Sequence, residues 1–581
     1  MLHRGFVVSP RALGLGRAIL VVALGGCAED RSSAGPGAGD PLPLDVEVGE
    51  DAPLDLTYLC GNRFLVSNAR NVPVSVKYRV AGSGEDGVAD VAAAPLEDPA
   101  VSEHMIETRT RGTVQIFLDG RPVVARANEG TPCTPAPPAS AALAAGTEAG
   151  EWSQSFSWPI VAVHMLLLPN GRVLSIGRAG TPQVWNPATG AFTAVPAPAW
   201  LFCAGHTLLP DGRVFLAGGH INDNRGLPNI TFFSGTNTWT SGAPMARGRW
   251  YPTTTTMGNG DVVILAGRDE AGVVVTQPEV WSNGSLRRLT GAPQTLPYYP
   301  RAFLAPDGRL FSAGPTRPTR FLSLAGTGSW TKGPTRLFGA REYGSAVMYD
   351  DGKILYAGGS RTTNTAEVID LNRAKPAWSW TGSMAFARRH LNLTALPTGE
   401  VLATGGVGGT TFNDLGAPVR AAEIWSPATG KWTILASNAV TRGYHGTSLL
   451  LPDGRVLNAG SGNGAGARDE RNAELFSPPY LFRGARPAIT SSPPEVRYGA
   501  TFRLLTPQAA AITKVSLIRL GAVTHAFDEN QRFQWLAFTR DATGLTVTAP
   551  ASSNRAPPGH YMVFILNQPG APSVARILRI H

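Results

Sequence analysis

The chain repeats one phrase, most clearly as Leu208-Leu209-Pro210-Asp211-Gly212-Arg213-Val214-Phe215-Leu216-Ala217-Gly218-Gly219, along its 581 residues. Two apolar runs joined by an Asp-Gly or Asn-Gly turn are typical of a β-hairpin. The turn glycines of the seven copies are Gly171, Gly212, Gly260, Gly308, Gly352, Gly399 and Gly454. Their separations of 41, 48, 48, 44, 47 and 55 residues suit four-stranded blades. The repeats therefore predict a seven-bladed β-propeller.

The second half of each of the first six repeats is marked by tryptophan. The tryptophans in question are Trp185, Trp239, Trp281, Trp330, Trp380 and Trp425. The chain has 67 glycines and 47 prolines and few helix-like apolar patterns, so we expect an all-β structure with little helix. The strand before each turn resembles the innermost strand of a kelch-type blade. A residue at the start of that strand is therefore expected near the central axis.

One residue in each repeat lies nine positions before the turn glycine. In order, these residues are Ala162, Cys203, Tyr251, Tyr299, Tyr343, His390 and His445. Six of the seven are Cys, Tyr or His, whose sulfur, phenolate and imidazole groups bind transition metals. A closed repeat architecture would bring equivalent positions onto one ring, so the pattern predicts a metal site there. Tyr299 and Tyr343 are interpreted as packing residues, and His390 as a residue supporting the ligands or lining a channel.

Composition divides the chain into six segments. They are a signal peptide (1–26), a flexible linker (27–52), a small β module (53–133), a Pro/Ala linker (134–150), the kelch-type propeller (151–480) and a C-terminal immunoglobulin-like β-sandwich (481–581). The β module contains strand-like stretches at 63–66 and 114–118. We assign no function to this module.

The N-terminus has the features of an export signal. Arg4, Arg11 and Arg17 precede the apolar run 18–24, which ends at Gly25-Gly26-Cys27. This resembles a bacterial lipoprotein cleavage site, which predicts that Cys27 carries a lipid anchor at the cell envelope. The apolar run itself is too short to span a membrane.

The other three cysteines are expected to have different roles. Export permits disulfides, and Cys60 and Cys133 flank the β module closely enough to join it. Cys203 then has no thiol partner. A buried structural thiol is one interpretation, but its place on the ring favours a role at the metal site.

The formal net charge of +9 comes from scattered arginines without a basic run. This distribution argues against nucleic-acid binding. It gives at most a weak preference for acidic polymers or anionic lipid.

Three neighbourhoods carry a resemblance to a known family: Leu201-Phe202-Cys203-Ala204-Gly205, Ala246-Arg247-Gly248-Arg249-Trp250-Tyr251-Pro252 and Arg442-Gly443-Tyr444-His445-Gly446. Here the chain resembles the copper-radical oxidases, the family of galactose oxidase and glyoxal oxidase. The likeness covers roughly residues 150–581 and leaves the first 150 residues outside it.

The resemblance implies a complete copper site. Cys203 and Tyr251 would be joined by a thioether that holds a radical, and Tyr251, Tyr444 and His445 would bind copper. His525, in the phrase 518–525 of the C-terminal domain, would supply the last ligand. Independently of the family, two imidazoles with phenolate oxygens suit Cu(II). The implied reaction oxidises an alcohol or aldehyde with dioxygen, with Tyr444 as base, and releases hydrogen peroxide.

The substrate is less well defined by the residues. Galactose oxidases place a tryptophan over the thioether ring from eighteen residues beyond the radical tyrosine, where this chain has Asp269. That difference, with the glyoxal oxidase-like form of Arg249-Trp250-Tyr251-Pro252, favours small aldehydes or simple primary alcohols. Two alternatives remain: a galactose oxidase-like enzyme acting on cell-surface glycans, and a non-catalytic carbohydrate-binding or adhesion propeller.

Overall fold

The computed structural model describes residues 54–60, 62–68, 73–91, 102–128, 148–360, 362–464 and 468–581. Within these ranges the chain is all-β, as predicted, and its helical segments are two short 3₁₀ turns, Pro479–Phe482 and Ala509–Ala511. No helix in the described ranges is long and apolar enough to cross a membrane. The predicted signal peptide, the lipid site at Cys27 and the half-cystine Cys133 lie outside these ranges, as does the side chain of Cys60.

The β module forms two antiparallel sheets over one apolar core. Its strands are β1 (Leu54–Cys60), β2 (Arg63–Asn68), β3 (Val74–Val80), β4 (Asp86–Val91), β5 (Ser102–Glu107), β6 (Val114–Leu118) and β7 (Arg121–Arg126). One sheet has the order β1-β2-β5 and the other β4-β3-β6-β7. Leu56, Phe64, Val76 and Ile116 are fully buried between them. Both stretches that the sequence marks as strands lie within β2 and β6.

Seven antiparallel sheets, called here the first to seventh repeat sheets, follow in chain order. They are preceded by β8 (Glu151–Trp152) and β9 (Phe156–Ser157). The first sheet consists of β10 (His164–Leu167), β11 (Val173–Ile176), β12 (Gln183–Trp185) and β13 (Phe192–Ala194), and the third of β20 (Thr253–Thr256), β21 (Val262–Leu265), β22 (Glu279–Ser282) and β23 (Ser285–Arg288). The second consists of β14 (Gly205–Leu208), β15 (Val214–Ala217), β18 (Ile230–Phe233) and β19 (Trp239–Ser241), with a side hairpin of β16 (His220–Asn222) and β17 (Arg225–Gly226).

The fourth to sixth repeat sheets have the same plan of a hairpin followed by two outer strands, and the seventh has a hairpin followed by one such strand of its own. The fourth sheet consists of β24 (Ala302–Leu304), β25 (Leu310–Ser312), β26 (Arg320–Ser323) and β27 (Ser329–Lys332), and the fifth of β28 (Ser345–Asp350), β29 (Lys353–Ala357), β30 (Ala366–Asp370) and β31 (Trp378–Thr381). The sixth sheet consists of β32 (Asn392–Ala395), β33 (Val401–Thr404), β34 (Ala421–Ser426) and β35 (Lys431–Ser437). The seventh consists of β36 (Gly446–Leu450), β37 (Val456–Gly460) and β38 (Asn472–Ser477).

The first and last repeats are tied together. The seventh repeat sheet has three strands of its own, and β8 and β9, from before the first repeat, pair with its β38. The first strand of the first sheet, β10, contacts the first strand of the seventh, β36. First strands of other neighbouring sheets also contact each other, as β14 does β20 and β32 does β36.

The C-terminal segment forms two sheets over a second core. Its strands are β39 (Glu495–Val496), β40 (Thr501–Leu505), β41 (Ile512–Arg519), β42 (Ala522–Thr524), β43 (Phe527–Asp528), β44 (Phe533–Leu536), β45 (Phe538–Arg540), β46 (Gly544–Thr548), β47 (Gly559–Asn567) and β48 (Arg576–Ile580). The hairpin β42–β43 leaves this sandwich, and β42 pairs with β10 of the first repeat sheet. The hairpin therefore reaches the start of β10, the first strand of the first repeat sheet.

Buried ion pairs recur beside the first strands. Arg249–Glu279, Arg341–Glu367, Arg388–Glu423 and Arg442–Glu474 lie in the third, fifth, sixth and seventh repeat sheets, and the side chains of all four pairs are at most 3% exposed. Each arginine also donates to backbone carbonyls of the turning chain, as Arg388 does to Gly405 and Ala421. Removing one member of such a pair leaves a buried charge without compensation.

We therefore expect Arg388→Leu to lower the free energy of unfolding by about 3–5 kcal/mol, since Glu423 would remain buried and unpaired. The measurement is the urea-unfolding midpoint, followed by tryptophan fluorescence. Arg309→Leu, which breaks the exposed pair with Asp307 (side chains 40% and 48% exposed), is the control and should cost less than about 1 kcal/mol. Equal losses in both variants would contradict the prediction.

Candidate metal centre

The six ring residues share an uncommon backbone conformation. Each has a positive φ and lies one to three residues before the first strand of its repeat. The φ values are 64° for Cys203, 65° for Tyr251, 44° for Tyr299, 51° for Tyr343, 61° for His390 and 66° for His445. A non-glycine residue in this left-handed region is strained by roughly 1–2 kcal/mol. Recurrence of the strain at all six positions indicates that the fold, and not a local accident, holds these side chains in place.

Backbone hydrogen bonds connect neighbouring ring positions. The N–H of Tyr251 donates to the carbonyl of Cys203 at 3.0 Å, and the N–H of Tyr299 donates to the carbonyl of Tyr251 at 3.1 Å. The N–H of His390 donates to the carbonyl of Tyr343 at 2.8 Å. The left-handed turn directs the backbone N–H or carbonyl of each of these residues toward the neighbouring repeat. The ring is therefore a hydrogen-bonded feature of the main chain as well as a set of side chains.

His525 joins the ring from the C-terminal hairpin. It lies in the turn between β42 and β43, with φ of 45°, and is 1% exposed. Its ring centroid is 4.5 Å from that of Tyr251 and 4.6 Å from that of His445, on which it stands nearly perpendicular. The Tyr251 and Tyr444 hydroxyl oxygens are 2.5 Å apart. The structure thus brings together all four side chains that the sequence suggested as metal ligands.

Both histidines of this group have one unpartnered nitrogen. His445 donates from Nδ1 to the carbonyl of Gly462 at 2.6 Å. His525 Nδ1 lies 2.6 Å from the Thr524 hydroxyl, which itself donates to the carbonyl of Val163, so the imidazole is the donor. Nε2 of each ring is buried and has no hydrogen-bond partner. A histidine whose Nδ1–H is fixed in this way presents the Nε2 lone pair to a metal.

Burial also keeps these imidazoles neutral. Desolvation lowers the pKa of His445 to about 3, against the weaker opposing effect of its bond to Gly462. Desolvation also lowers the pKa of His525 well below its usual range, and the neighbouring histidines lower it further. Neutral imidazole is the form that binds metal.

Cys203 and Tyr251 lie together in an apolar cluster with Trp250 and Tyr299. Cys203 is a free, buried cysteine. Desolvation raises the pKa of its thiol well above the usual range, and a hydrogen bond with Tyr251 offsets part of that rise. Desolvation likewise raises the pKa of Tyr251. Both groups are therefore protonated in this apolar setting, and a bound cation would be needed to stabilise a phenolate.

Trp250 covers one face of Tyr251, and the sequence analysis missed this role. The two rings are stacked, with centroids 3.8 Å apart and planes 13° apart. Position 269, where galactose oxidases have the shielding tryptophan, is Asp here, which predicted a different shield. The residue immediately before the tyrosine provides that cover. Asp269 instead accepts hydrogen bonds from Arg247 and from the backbone of its own turn, so its role is structural.

The remaining ring residues surround the four clustered side chains. Tyr299 stacks on His525 at 4.4 Å and donates to the carbonyl of Ala204. Tyr343 packs edge-on against Tyr444. The ring centroid of His390 lies 5.3 Å from that of Tyr444. Its Nε2 makes a hydrogen bond with the carbonyl of Phe412 at 2.6 Å, so this nitrogen is not available to a metal.

The donor set limits which metals fit. No group of three or more His, Cys, Asp and Glu side chains in the described ranges is arranged to hold a metal. A metal at the four clustered side chains must therefore use tyrosine oxygens together with the two free imidazole nitrogens. Nitrogen and phenolate oxygen ligands suit Cu(II), so the residues present fit copper.

Comparison with known proteins agrees with this assignment. A family model described as "Galactose oxidase-like, Early set domain" matches residues 486–580, the segment that carries His525. Galactose oxidase of Gibberella zeae is 30% identical over 491 residues, which cover 74% of this chain and 70% of that protein. The chain belongs to the copper-radical oxidase family.

Other members of the copper-radical oxidase family have different names. "Aldehyde oxidase GLOX" of Vitis pseudoreticulata is 29% identical over 432 residues, or 65% of this chain and 82% of that protein. A solved structure titled "Novel fungal alcohol oxidase with catalytic diversity among the AA5 family, in complex with copper" matches with a TM-score of 0.69 and 26% identity, covering 74% of this chain and 100% of that one. The chain is therefore an oxidoreductase with a galactose oxidase-like fold, and copper is its metal.

We expect His445→Asn to weaken Cu(II) binding by at least about tenfold, because one of two free imidazole nitrogens is lost. His390→Asn is the matched control: it occupies an equivalent left-handed position, which asparagine tolerates, but its Nε2 already bonds to a carbonyl. Its affinity should change less than about twofold. Calorimetric titration of the metal-free proteins with Cu(II) measures both, and equal losses would contradict the ligand assignment.

Acid should destabilise the metal-free protein. Desolvation lowers the pKa of seven histidines: His164, His206, His220, His390, His445, His525 and His560. Below pH 6.5 the unfolded chain therefore binds more protons than the folded one, and the free energy of unfolding decreases as the pH is lowered. Burial raises the pKa of Asp528 to about 6 and of Glu529 to about 8, which acts in the opposite direction but involves only two groups.

The net expectation is a loss of more than about 1.4 kcal/mol per pH unit between pH 6.5 and 5, the slope for one proton. Urea-unfolding midpoints of the metal-free protein at these pH values provide the measurement. A midpoint that stays constant or rises on acidification would show that the buried histidines take up protons without unfolding.

Proposed function

We propose that this protein is a copper-radical oxidase that oxidises small aldehydes or simple primary alcohols with dioxygen and forms hydrogen peroxide. The observation that carries the proposal is the cluster of Tyr251, Tyr444, His445 and His525, with two free Nε2 atoms and two hydroxyl oxygens 2.5 Å apart. Cys203, which packs against Tyr251, supplies the partner for a protein-derived cofactor.

In this proposal His445 and His525 bind copper through Nε2, and Tyr251 and Tyr444 bind it through their hydroxyl oxygens. Bound copper would supply Lewis acidity toward a substrate hydroxyl and accept one of the two electrons. Thr524 and the carbonyl of Gly462 hold the two imidazoles in the required tautomer. A thioether from Cys203 to the Tyr251 ring would make that ring easier to oxidise and let it accept the second electron.

The chain's own residues then perform the remaining steps. Tyr444 accepts the proton of the substrate hydroxyl, and the oxidised Tyr251 removes hydrogen from the adjacent carbon. Trp250, stacked on Tyr251, covers one face of that ring and keeps water from it. One primary alcohol and one dioxygen give one aldehyde and one hydrogen peroxide. An aldehyde reacts as its hydrate, which carries the hydroxyl, and gives one carboxylic acid and one hydrogen peroxide. In both cases two hydrogens, with their two electrons, pass from substrate to oxygen.

Several further features of the protein belong to this proposal. We infer that the seven repeat sheets close into a kelch-type propeller over residues 151–480, supported by the pairing of β8 and β9 with β38 and by the contact of β10 with β36. Residues 481–581 would form the immunoglobulin-like domain that supplies His525. Export and a lipid anchor at Cys27 are inferred from the sequence alone.

The substrate class is supported by two observations. Relatives include proteins named aldehyde oxidase as well as galactose oxidase. Trp250 occupies the face of Tyr251 from the position immediately before it, within the glyoxal oxidase-like phrase. Oxidation of a cell-surface glycan by the same residues is the second candidate, favoured by the predicted anchor. The adhesion propeller is disfavoured because the chain has all four proposed ligand side chains and Cys203.

The test combines peptide mapping with a peroxide assay. After exposure to copper and oxygen, the peptides of Cys203 and Tyr251 should be joined with loss of two hydrogen atoms, and glyoxal or methylglyoxal should release peroxide faster than galactose. Cys203→Ala should bind copper yet lose at least about a hundredfold in turnover, since the oxidised ring is no longer stabilised. Near-normal turnover in this variant would remove the cysteine from the mechanism, and turnover of glycan alone would favour the second candidate.

A further inference from the structure

Glu529 is a buried carboxyl that the proposed reaction does not use. It follows β43 directly and is 6% exposed. Its Oε2 accepts three hydrogen bonds: from the backbone N–H of His206 at 3.1 Å, from the backbone N–H of Thr254 at 2.8 Å and from the Thr254 hydroxyl at 2.8 Å. One oxygen atom therefore joins the first strands of the second and third repeat sheets, β14 and β20.

The donors have matching places relative to the cross-link partners. His206 is three residues after Cys203, and Thr254 is three residues after Tyr251. Both donors lie in the first two residues of their strands, so each is rigidly connected to the left-handed residue before it. Fixing the distance between the two donors thus constrains the distance between the cysteine and the tyrosine.

The other end of Glu529 is also anchored near the site. Four residues before it in the same hairpin is His525, whose ring contacts Tyr251. Three elements that must meet for the cofactor to form are therefore held by one side chain. Of the other side chains in this loop, Asn530 accepts a hydrogen bond from the Thr207 hydroxyl, also in β14. Gln531 accepts a hydrogen bond from the N–H of Ala395, in the first strand of the sixth repeat sheet.

We propose that Glu529 is a positioning residue for the Cys203–Tyr251 thioether, because its Oε2 accepts hydrogen bonds from both strands that directly follow the cysteine and the tyrosine. This inference rests on the proposed function. In the cross-linking step the Cys203 S–H bond and the Tyr251 ring C–H bond ortho to the hydroxyl break, and a C–S bond forms. The two protons and two electrons released pass to dioxygen, giving hydrogen peroxide. Glu529 takes no part in the electron transfer and acts through hydrogen bonds alone.

Because Glu529 acts through accepted hydrogen bonds, a glutamine at this position should preserve its function. Desolvation raises the pKa of Glu529 to about 8, so the side chain is mostly the neutral acid at pH 7. An amide oxygen can accept the same three hydrogen bonds, whereas leucine has a similar volume and no acceptor. Glu529→Gln and Glu529→Leu thus separate the hydrogen bonds from packing.

The experiment follows cross-linking in time after Cu(II) and air are added to the metal-free full-length protein. The readout is the fraction of joined Cys203 and Tyr251 peptides by mass spectrometry. We expect cross-linking in Glu529→Leu to be at least about tenfold slower, because a displacement of less than 1 Å between the reacting groups has an effect of that size. Glu529→Gln should stay within about twofold of the unaltered protein. Gln531→Leu, which loses a bond from the same loop to a strand without a cross-link partner, should match the unaltered rate.

Hydrogen exchange provides a readout that does not depend on copper. Amides of the peptides containing His206 and Thr254 should exchange faster in metal-free Glu529→Leu, but not in Glu529→Gln or Gln531→Leu. If Glu529→Leu does not fold, Thr254→Val removes one of the three bonds with little change of shape and should slow cross-linking about two- to threefold.

The outcomes separate the two proposals. If the unaltered protein never cross-links, the proposed function fails and this inference fails with it. If it cross-links and Glu529→Leu or Thr254→Val does so at the same rate, the function stands and the positioning role is wrong. Equal slowing in Glu529→Gln and Glu529→Leu, or in Gln531→Leu, would also overturn it, because the lost acceptor would not be the cause.

Discussion

The proposed metal centre depends on the insertion of one hairpin, β42–β43, beside the first strands of the repeat sheets. Its turn presents His525, and the residues that follow are fixed by hydrogen bonds to different repeat sheets. Glu529 binds the second and third sheets, Gln531 the sixth, and Arg532 donates to the carbonyl of Leu304 in the fourth. Buried polar groups must find partners, so these bonds leave the hairpin little freedom to shift. The position of His525, the proposed last ligand, is thereby set by several sheets at once.

The second requirement is that the fold keeps the six ring residues in their strained, left-handed backbone conformations. Six residues have left-handed conformations, and backbone hydrogen bonds from Tyr251 to Cys203 and from Tyr299 to Tyr251 help to offset the strain. Buried arginines such as Arg388 and Arg442 fasten the chain just before the ring to the outer strands. Side chains aimed inward by such a backbone need little further ordering to bind a metal.

Much of this could be predicted from the sequence because the signals are local. An Asp-Gly turn sets a hairpin register within a few residues, so counting back nine positions located Cys203, Tyr251 and His445 at the starts of their strands. The resemblance to known oxidases added His525. Trp250 was not predicted as the cover of Tyr251, because the direction of a side chain beside a left-handed residue depends on the turned backbone. Glu529 was missed because its donors lie hundreds of residues away in the chain.

The pairing of β8 and β9 with β38 affects the order in which the protein can be assembled. The seventh sheet cannot be completed until strands separated by about three hundred residues meet, and contacts of such long range form late in folding. His525 follows all seven sheets in the chain. With His525 as the proposed last copper ligand, a nascent polypeptide carries the tyrosines and the cysteine before it can complete the copper site. The proposed oxidation chemistry is then deferred until the hairpin β42–β43 has been synthesised.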